Sequence, residues 1–320
     1  MKIISLDEIK KCLNLNEAIA AIEHCFEVYS RGNVLSAPVS RFHFDSVNAD
    51  LHIKSGMFNG SKYFVVKIAG GFYDNEQFGL PTSQGMMIVL DSRNGTPVAL
   101  IQDEGYLTDL RTAIAGLICA KLLAPCHHTK VLGIFGAGTQ GYLQAKLLKH
   151  YFPEIKNLFL WGRNKERLEQ KKPKFENLGF SVTITTDAKT VAQECNLIVT
   201  TTPSTKPILF GAWLKPGTHI TALGADDPHK QELDMSVFQR ADYIVVDSKQ
   251  QCLEFGDSHH ALASGIIGAE RLVEIGALIS NPSSFVRSLN DITIADLTGL
   301  AAQDIAIANY ILENYYVKGD

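Results

Sequence analysis

The sequence predicts an α/β protein with two parts, a doubly wound parallel sheet of Rossmann type and a smaller α+β domain. Three observations predict it. From residue 131 onward, short apolar runs alternate with helical stretches at intervals of about 20 to 25 residues, the rhythm of a parallel sheet. A glycine-rich turn, Gly136-Ala137-Gly138-Thr139-Gln140-Gly141, separates the first of those runs from the helical stretch after it. The chain has 320 residues, more than one hydrophobic core usually organises.

Taken in order, residues 5–31 carry Leu6, Ile9, Leu13, Ala18, Ala21, Ile22 and Phe26 at helical spacing and predict a helix. Between 33 and 102 the runs Arg41–Phe44, Leu51–Ile53, Tyr63–Ala69, Gly85–Asp91 and Thr96–Gln102 are short and separated by Gly, Asn, Asp or Pro. They predict a mostly antiparallel sheet, with a hairpin turn at Asn94-Gly95. Leu107–Leu123 reads as a helix with Thr108 as its N-cap. Strands are expected at Val131–Phe135, Asn157–Trp161, Ser181–Thr185, Leu197–Thr201, His219–Leu223 and Tyr243–Asp247, and a long amphipathic helix at Ile294–Tyr316. The expected domains are 1–124, joined by a C-terminal helix 302–320, and 125–301.

Composition removes several classes. Net charge is −4, and the basic run Lys165–Lys174 is interleaved with Glu166 and Glu169 and followed by Glu176, a solvated helix face rather than a nucleic-acid patch. No apolar run reaches the length of about 20 residues that spans a bilayer, and the N-terminus lacks the pattern of a signal peptide. The six cysteines are scattered without a CxxC pair, as in a reducing cytosol, so a cytoplasmic protein is expected. Cys126-His127-His128 and His259-His260 lack the spaced second pair of a zinc site, and no metal is expected. There is no GxSxG elbow and no HExxH helix.

The glycine turn carries the first chemical expectation. Gly136 permits the tight turn, Gly138 lets the backbone approach a pyrophosphate, and Gly141 lets helix pack on strand, with the helix N-terminus facing the anion. After the next strand, an acidic residue would normally accept the ribose 2′-hydroxyl of NAD. Gly162 and Arg163 stand there instead, so NADP(H) is the expected cofactor, with NAD(H) possible.

The first domain holds cations in apolar settings: Arg41 in SRFHF, Lys67 in YFVVKIAGG and Arg111 in LTDLRTAIAG. A buried cation is costly unless paired. The sequence offers no evident buried carboxylate to match them, so an anionic ligand such as an amino-acid carboxylate is the expected partner.

Arg41, Lys67, LTDLRTA (107–113), GAGTQG (136–141) and GADDPHKQELD (224–234) together resemble the ornithine cyclodeaminase/mu-crystallin family, over nearly the whole chain. The resemblance implies a first domain that binds substrate and forms a homodimer, a Rossmann domain, and a last helix that returns to the first. The family's activities include ornithine cyclodeaminase, alanine dehydrogenase and NADPH-dependent reduction of cyclic imino acids. Carried over by position, Arg41, Lys67 and Arg111 resemble a carboxylate clamp, and Thr82 a hydroxyl beside substrate and nicotinamide. Asp226 resembles the acid/base carboxylate at the α-nitrogen, so Asp226 and Lys67 are the expected catalytic pair. Thr112, Gly138, Thr139, Gln140, Arg163, Thr201, Ala225 and Thr298 resemble cofactor contacts. Asp226 also follows an apolar strand at its C-terminal end, where open α/β sheets bind ligands; the other reading of it is a helix N-cap before Pro228.

One departure bears on the subgroup. Ornithine cyclodeaminases hold the substrate's distal ammonium with a glutamate about one strand before the clamp lysine. Equivalent spacing here lands in LHIKSGM, on or near Lys54, with His52 beside it. A lysine repels that ammonium, so the resemblance points to the ketimine reductase-like members. The expected reaction is reduction of pyrroline-2-carboxylate or piperideine-2-carboxylate to L-proline or L-pipecolate. Ornithine cyclodeamination with catalytic NAD, an alanine dehydrogenase-like reaction and a non-catalytic NADPH-binding protein are the alternatives.

Overall fold

The computed structural model describes residues 1–125 and 129–319. The chain divides into two compact units, Met1–Arg111 with Leu300–Asp320, and Thr112–Gly299.

In the first unit β1 (Lys2–Ser5) leads into α1 (Leu6–Cys12), where Ser5 and Glu8 form a reciprocal capping box. The single helix expected over 5–31 is two helices. Asn14 caps α2 (Leu15–Ser30) by accepting from the N–H groups of Asn16 and Glu17, and that local bond ends the first helix. Then come β2 (Val34–Ser36), β3 (Ser40–Phe44), β4 (Ala49–Phe58), β5 (Tyr63–Phe72), β6 (Ser83–Asp91) and β7 (Pro97–Gln102). They form one sheet in the order β1-β7-β6-β5-β4-β2, with β3 also paired to β4. Only the β1–β7 pair is parallel. The β6–β7 turn closes through Gly95, whose φ of 72° and N–H bond to Asp91 O suit glycine. The next helix, α3 (Tyr106–Leu123), is not capped by Thr108 as expected. It begins earlier, where the Asp103 carboxylate accepts the Leu107 N–H at 2.9 Å, an ionisable acceptor one turn upstream of the hydroxyl.

The division between the units falls inside α3, at Arg111–Thr112, rather than after residue 124. Beyond that point α3 packs against the second unit: Gln144 donates to Thr112 O, and a Cβ on Gly116 would overlap the Gln144 side chain.

The second unit contains β8 (Val131–Phe135), α4 (Thr139–Tyr151), β9 (Asn157–Trp161), α5 (Lys165–Glu176), β10 (Ser181–Thr185), α6 (Ala188–Glu194) and β11 (Leu197–Thr200). It continues with β12 (Thr205–Leu209), β13 (His219–Ala222), β14 (Gln231–Leu233), α7 (Met235–Arg240), β15 (Tyr243–Val246), α8 (Asp257–Ala263), β16 (Leu272–Glu274), α9 (Ile275–Ser280) and β17 (Thr293–Asp296). The main sheet runs β10-β9-β8-β11-β13-β17-β15-β16, all parallel, while β12 and β14 pair separately. Strand order reverses between β8 and β11, the position where doubly wound sheets open a crevice at their C-terminal ends. Phe135, Ile198, Ile220, Ile244 and Ile294 fill the core beneath it.

The long helix expected from Ile294 is instead β17 followed, after Leu297-Thr298-Gly299, by α10 (Ala301–Gly319). Gly299 at φ 81° makes the break that the apolar periodicity concealed. α10 covers α2, β4 and β5 of the first unit, and a Cβ on Gly56 would lie 3.2 Å from Ile305 Cδ1. By the strand register, the face under α10 carries Arg41, His52, Lys54, Lys67, Ala69 and Met87. The opposite face carries Ile53, Val66, Ile68, Met86, Ile88 and Leu100.

Candidate active site

Lys67 reaches that inner face near the middle of β5, and burial there would be untenable without an anion. The anion is Asp304, on the first turn of α10. Lys67 Nζ lies 3.0 Å from Asp304 Oδ2, and Arg111 Nε lies 3.1 Å from Asp304 Oδ1. Arg111 Nη1 also donates to Gln303 Oε1 at 2.9 Å. Lys67, Asp304 and Gln303 are each at most 2% exposed, and Arg111 is 6% exposed. The sequence reading that no buried carboxylate matches these cations is therefore corrected. Asp304 does so, from a helix whose Ala and Ile residues read as a plain apolar stripe.

Charge in this cluster is finely opposed. Burial presses the Lys67 ammonium toward its neutral form and Arg111 adds repulsion, while Asp304 holds the charge on it. Burial also disfavours the Asp304 carboxylate, but Lys67, Arg111 and Lys54 together hold it below the usual carboxylate range. Asp103, 1% exposed, is pushed upward by burial despite the Leu107 N–H.

Lys54 stands directly opposite Lys67 in the β4–β5 register, on the same face and also buried. His52 is one pair further along β4, opposite Arg41 of β3 and Ala69 of β5. Arg41 is half-buried rather than buried. Thr82, also half-buried, precedes β6, and its carbonyl accepts the Phe72 N–H. The first unit thus gathers Lys54, Lys67 and Arg111 around Asp304, with His52 and Arg41 further along the same face and Thr82 at the head of β6.

The second unit holds the remaining expected residues. Gly136 ends β8 at φ 106°, and a Cβ on Gly141 would overlap Gly136 O. Gly138 has open space where a Cβ would point, and as the N-cap of α4 it leaves the helix's first N–H groups without a side-chain cap. That combination suits a pyrophosphate: room above the backbone, and donors aimed into it. Thr139 is exposed and Gln140 half-buried on the first turn of α4, and Thr112 lies on α3. Thr201 Oγ1 bonds Phe135 O at 3.0 Å, tying the end of β11 to the end of β8. Arg163 is exposed after β9, with no carboxylate at 162–165, and Asn164 caps α5. Thr298 donates to Asp247 at 2.8 Å.

Ala225 and Asp226 follow β13. Asp226 caps no helix. Its Oδ1 instead accepts from Lys230 Nζ at 2.8 Å, while Asp227 Oδ1 takes the His229 N–H and closes the turn. Glu232, two residues on from Lys230, is fully buried and accepts four hydrogen bonds. Sequence reasoning did not single out Gln303, Asp304, Lys230 or Glu232. The signal for Gln303 and Asp304 was an amide and a charge inside an apolar stretch, AAQDIAIA, whereas Lys230 and Glu232 stand in the polar run KQELDM and carry no such mark. Among the described residues no group of His, Cys, Asp and Glu could hold a metal ion. His259 and His260 bond the carbonyls of Leu253 and Lys230, and the Cys126-His127-His128 run lies outside the described residues.

The family model described as the ornithine cyclodeaminase/mu-crystallin family matches residues 2–319. The chain belongs to that family. Among curated members of the ornithine cyclodeaminase/mu-crystallin family, the alanine dehydrogenase of Archaeoglobus fulgidus is 34% identical over 317 residues, covering 99% of this chain and 95% of its own. A Delta(1)-pyrroline-2-carboxylate reductase of Bacillus cereus is 29% identical over 324 residues, covering 100% and 98%. Among solved members, an archaeal alanine dehydrogenase dimer with bound NAD superposes with a TM-score of 0.88 at 33% identity, covering 100% of this chain and 97% of that one. The parallel sheet with its glycine turn is the Rossmann-like domain of that fold.

Proposed function

We propose that this chain is a nicotinamide-dependent oxidoreductase that reduces the C=N bond of a 2-imino acid to the L-amino acid. The substrate in this reading is cyclic, pyrroline-2-carboxylate or piperideine-2-carboxylate, and NADP(H) is preferred to NAD(H). The observation that carries it is the pairing of Lys54 with Lys67 on one face of the sheet. Two unit charges about 4 Å apart at an effective dielectric near 20 interact by roughly 4 kcal/mol. A substrate with a distal ammonium meets that repulsion, and a cyclic imino acid does not. The Bacillus cereus pyrroline-2-carboxylate reductase is in keeping with this reading.

In this reading Lys67 and Arg111, held by Asp304, fix the substrate carboxylate, with Arg41 at the rim and Thr82 beside it. Asp226, or a water it holds, serves the imine nitrogen as the acid, and Lys230 orients its carboxylate. Gly136, Gly138, Thr139, Gln140, Gly141, Arg163, Thr201, Ala225 and Thr298 would hold the dinucleotide, with Thr112 nearby. When bound, the nicotinamide supplies the hydride. The apolar outer face of the first unit's sheet, with Ile3 and Met86 exposed, suits a second copy of the chain, in keeping with the dimeric archaeal relative.

A second reading, an alanine dehydrogenase-like enzyme acting on an open-chain 2-oxo acid and ammonia, has the similarity to the Archaeoglobus fulgidus enzyme in its favour. One assay separates the two readings. NADPH and NADH oxidation is followed with pyrroline- and piperideine-2-carboxylate, with pyruvate plus ammonia, and with ornithine and NAD in the other direction. The cyclic imines are expected to turn over fastest and ornithine to be negligible, and Lys67→Met is expected to abolish turnover while leaving NADPH binding intact. Ornithine cyclodeamination at a rate rivalling imine reduction would overturn the reading. Pyruvate plus ammonia outrunning both imines would establish the second one.

A further inference from the structure

We propose that Glu232 is the positioning residue of the dinucleotide site, its carboxylate fixing the turns after β11 and β13 against the glycine-rich turn. The inference rests on the reading that the second unit takes a nicotinamide dinucleotide, and it assigns the shape of that site to a residue outside it.

A carboxylate has two oxygens and about four lone-pair sites. Glu232 fills all four. Oε1 accepts from Thr202 N at 2.6 Å and Thr202 Oγ1 at 2.7 Å, and Oε2 accepts from Thr200 Oγ1 at 2.7 Å and Gly224 N at 2.8 Å. These donors come from the C-terminal ends of two neighbouring parallel strands, β11 and β13, on the side of the sheet where strand order reverses. Thr200 and Thr202 flank Thr201, so the turn that carries Thr201 is gripped on both sides. Thr201 Oγ1 in turn bonds Phe135 O, and a Cβ on Gly136 would lie 2.8 Å from that oxygen. The first glycine of the phosphate turn therefore rests on a threonine whose backbone Glu232 holds. On the β13 side, a Cβ on Gly224 would overlap Thr202 O and crowd Glu232 Oε2, so the two turns touch across the carboxylate. Ala225 and Asp226 extend from that second turn.

Glu232 is itself anchored. Its N–H and that of Leu233 both donate to Asp257 Oδ1 at 2.7 Å, at the start of α8. Asp296, at the end of β17, accepts the Ser258 N–H. β14, which carries Glu232, lies outside the main sheet and pairs with β12, so these bonds add to a short two-stranded ladder there. Above about pH 7, where Glu232 is ionised, its four bonds are charge-assisted and directional, and they fix loop backbone more tightly than neutral contacts do.

An amide cannot replace the carboxylate. In Glu232→Gln one oxygen keeps its two donors, and the NH₂ faces the other two. NADPH and NADH dissociation constants are measured by quenching of protein fluorescence on the purified full chain, well below the unfolding midpoint. Glu232→Gln is expected to weaken binding of the preferred coenzyme about tenfold or more. Thr202→Val, which removes one hydroxyl donor and leaves Glu232 in place, is expected to weaken it about threefold. Turnover at saturating coenzyme should fall far less than the coenzyme KM rises, because the reacting groups are untouched. If Glu232→Gln does not fold, Thr202→Val decides. Binding by the folded variants within twofold of the wild type, even with a lowered Tm, would reduce Glu232 to a scaffold residue and overturn the proposal. A wild-type chain that binds neither coenzyme would instead overturn the dinucleotide reading beneath it.

Discussion

Replacing Asp304 by asparagine removes the anion that Lys67 and Arg111 share, and the cost can be worked out from the geometry. The pairs are 3.0 and 3.1 Å apart, and every side chain involved is at most 7% exposed, so the discount for solvent screening at surface pairs does not apply. At an effective dielectric of about 20, each contact is worth roughly 5 kcal/mol of Coulomb energy. Desolvation of the carboxylate, and relief for Lys67 by loss of its proton, return part of that sum. Removing one partner of a buried ion pair costs about 3–5 kcal/mol in practice. Trp161 and Trp213 both lie in the 112–299 unit, so intrinsic fluorescence is a poor reporter of this change. Amide hydrogen exchange resolved to β4 and β5 is the better assay. Loss of about 3 kcal/mol accelerates exchange there by about two orders of magnitude. The double variant with Lys67→Met should cost less than the sum of the single variants, since it no longer buries an unmatched lysine. Exchange in β4 and β5 within threefold of the wild type would show that Asp304 does not hold the cluster together.

Two further outcomes follow from the second unit. Arg163→Asp should reverse a preference of roughly tenfold for NADPH over NADH, since a carboxylate repels the 2′-phosphate and accepts the ribose hydroxyl; equal dissociation constants for the two coenzymes in the wild type would refute the role of Arg163. Stability should fall between pH 6.5 and 8. Burial pushes Glu232 up to about 7 and Asp257 well above its usual range, so the folded chain holds protons there that the unfolded chain has lost. The Glu232 contribution is fully present below about 4.5 and is lost as pH rises through about 7, which amounts to about 0.8 kcal/mol over that window. His219, pushed down to about 3 by burial, opposes this trend as the unfolded imidazole loses its proton through pH 6.5, and returns about 0.4 kcal/mol over the same window, leaving a smaller net fall. Urea denaturation midpoints that stay flat or rise from pH 6.5 to 8 would contradict the assignment.

What was legible in the sequence was local. Val131–Phe135, Asn157–Trp161 and Ser181–Thr185 were read to the residue, each being a short run of strand-forming residues set off by a polar residue or glycine on at least one side. The glycine turn was legible because its three glycines answer to contacts within a few residues of themselves. Lys67 and Arg111 were recognisable as cations in apolar settings, but their partner lies far along the chain, and nothing near either residue marks it. Glu232 was missed for the same reason, since its four donors come from two other strand ends. The helix drawn from Ile294 failed differently. Its apolar residues suit either period, and only the Thr298-Gly299 break distinguishes a strand followed by a helix.

The first unit is discontinuous, and that has a consequence for the order in which the protein can assemble. Its sheet is complete in sequence by Gln102, yet the carboxylate that neutralises Lys67 and Arg111 emerges from the ribosome only after the whole of 112–299. Until α10 arrives, the inner face of the sheet holds Lys54, Lys67 and Arg111 without Asp304 and exposes the apolar surface that Ile305 covers. The intervening unit is continuous and can close on its own contacts in the meantime. Long-range closure therefore comes last, and the incomplete half spends synthesis as the aggregation-exposed part of the chain. The helix that carries Asp304 at one end of the sequence is thus also the latch for the other.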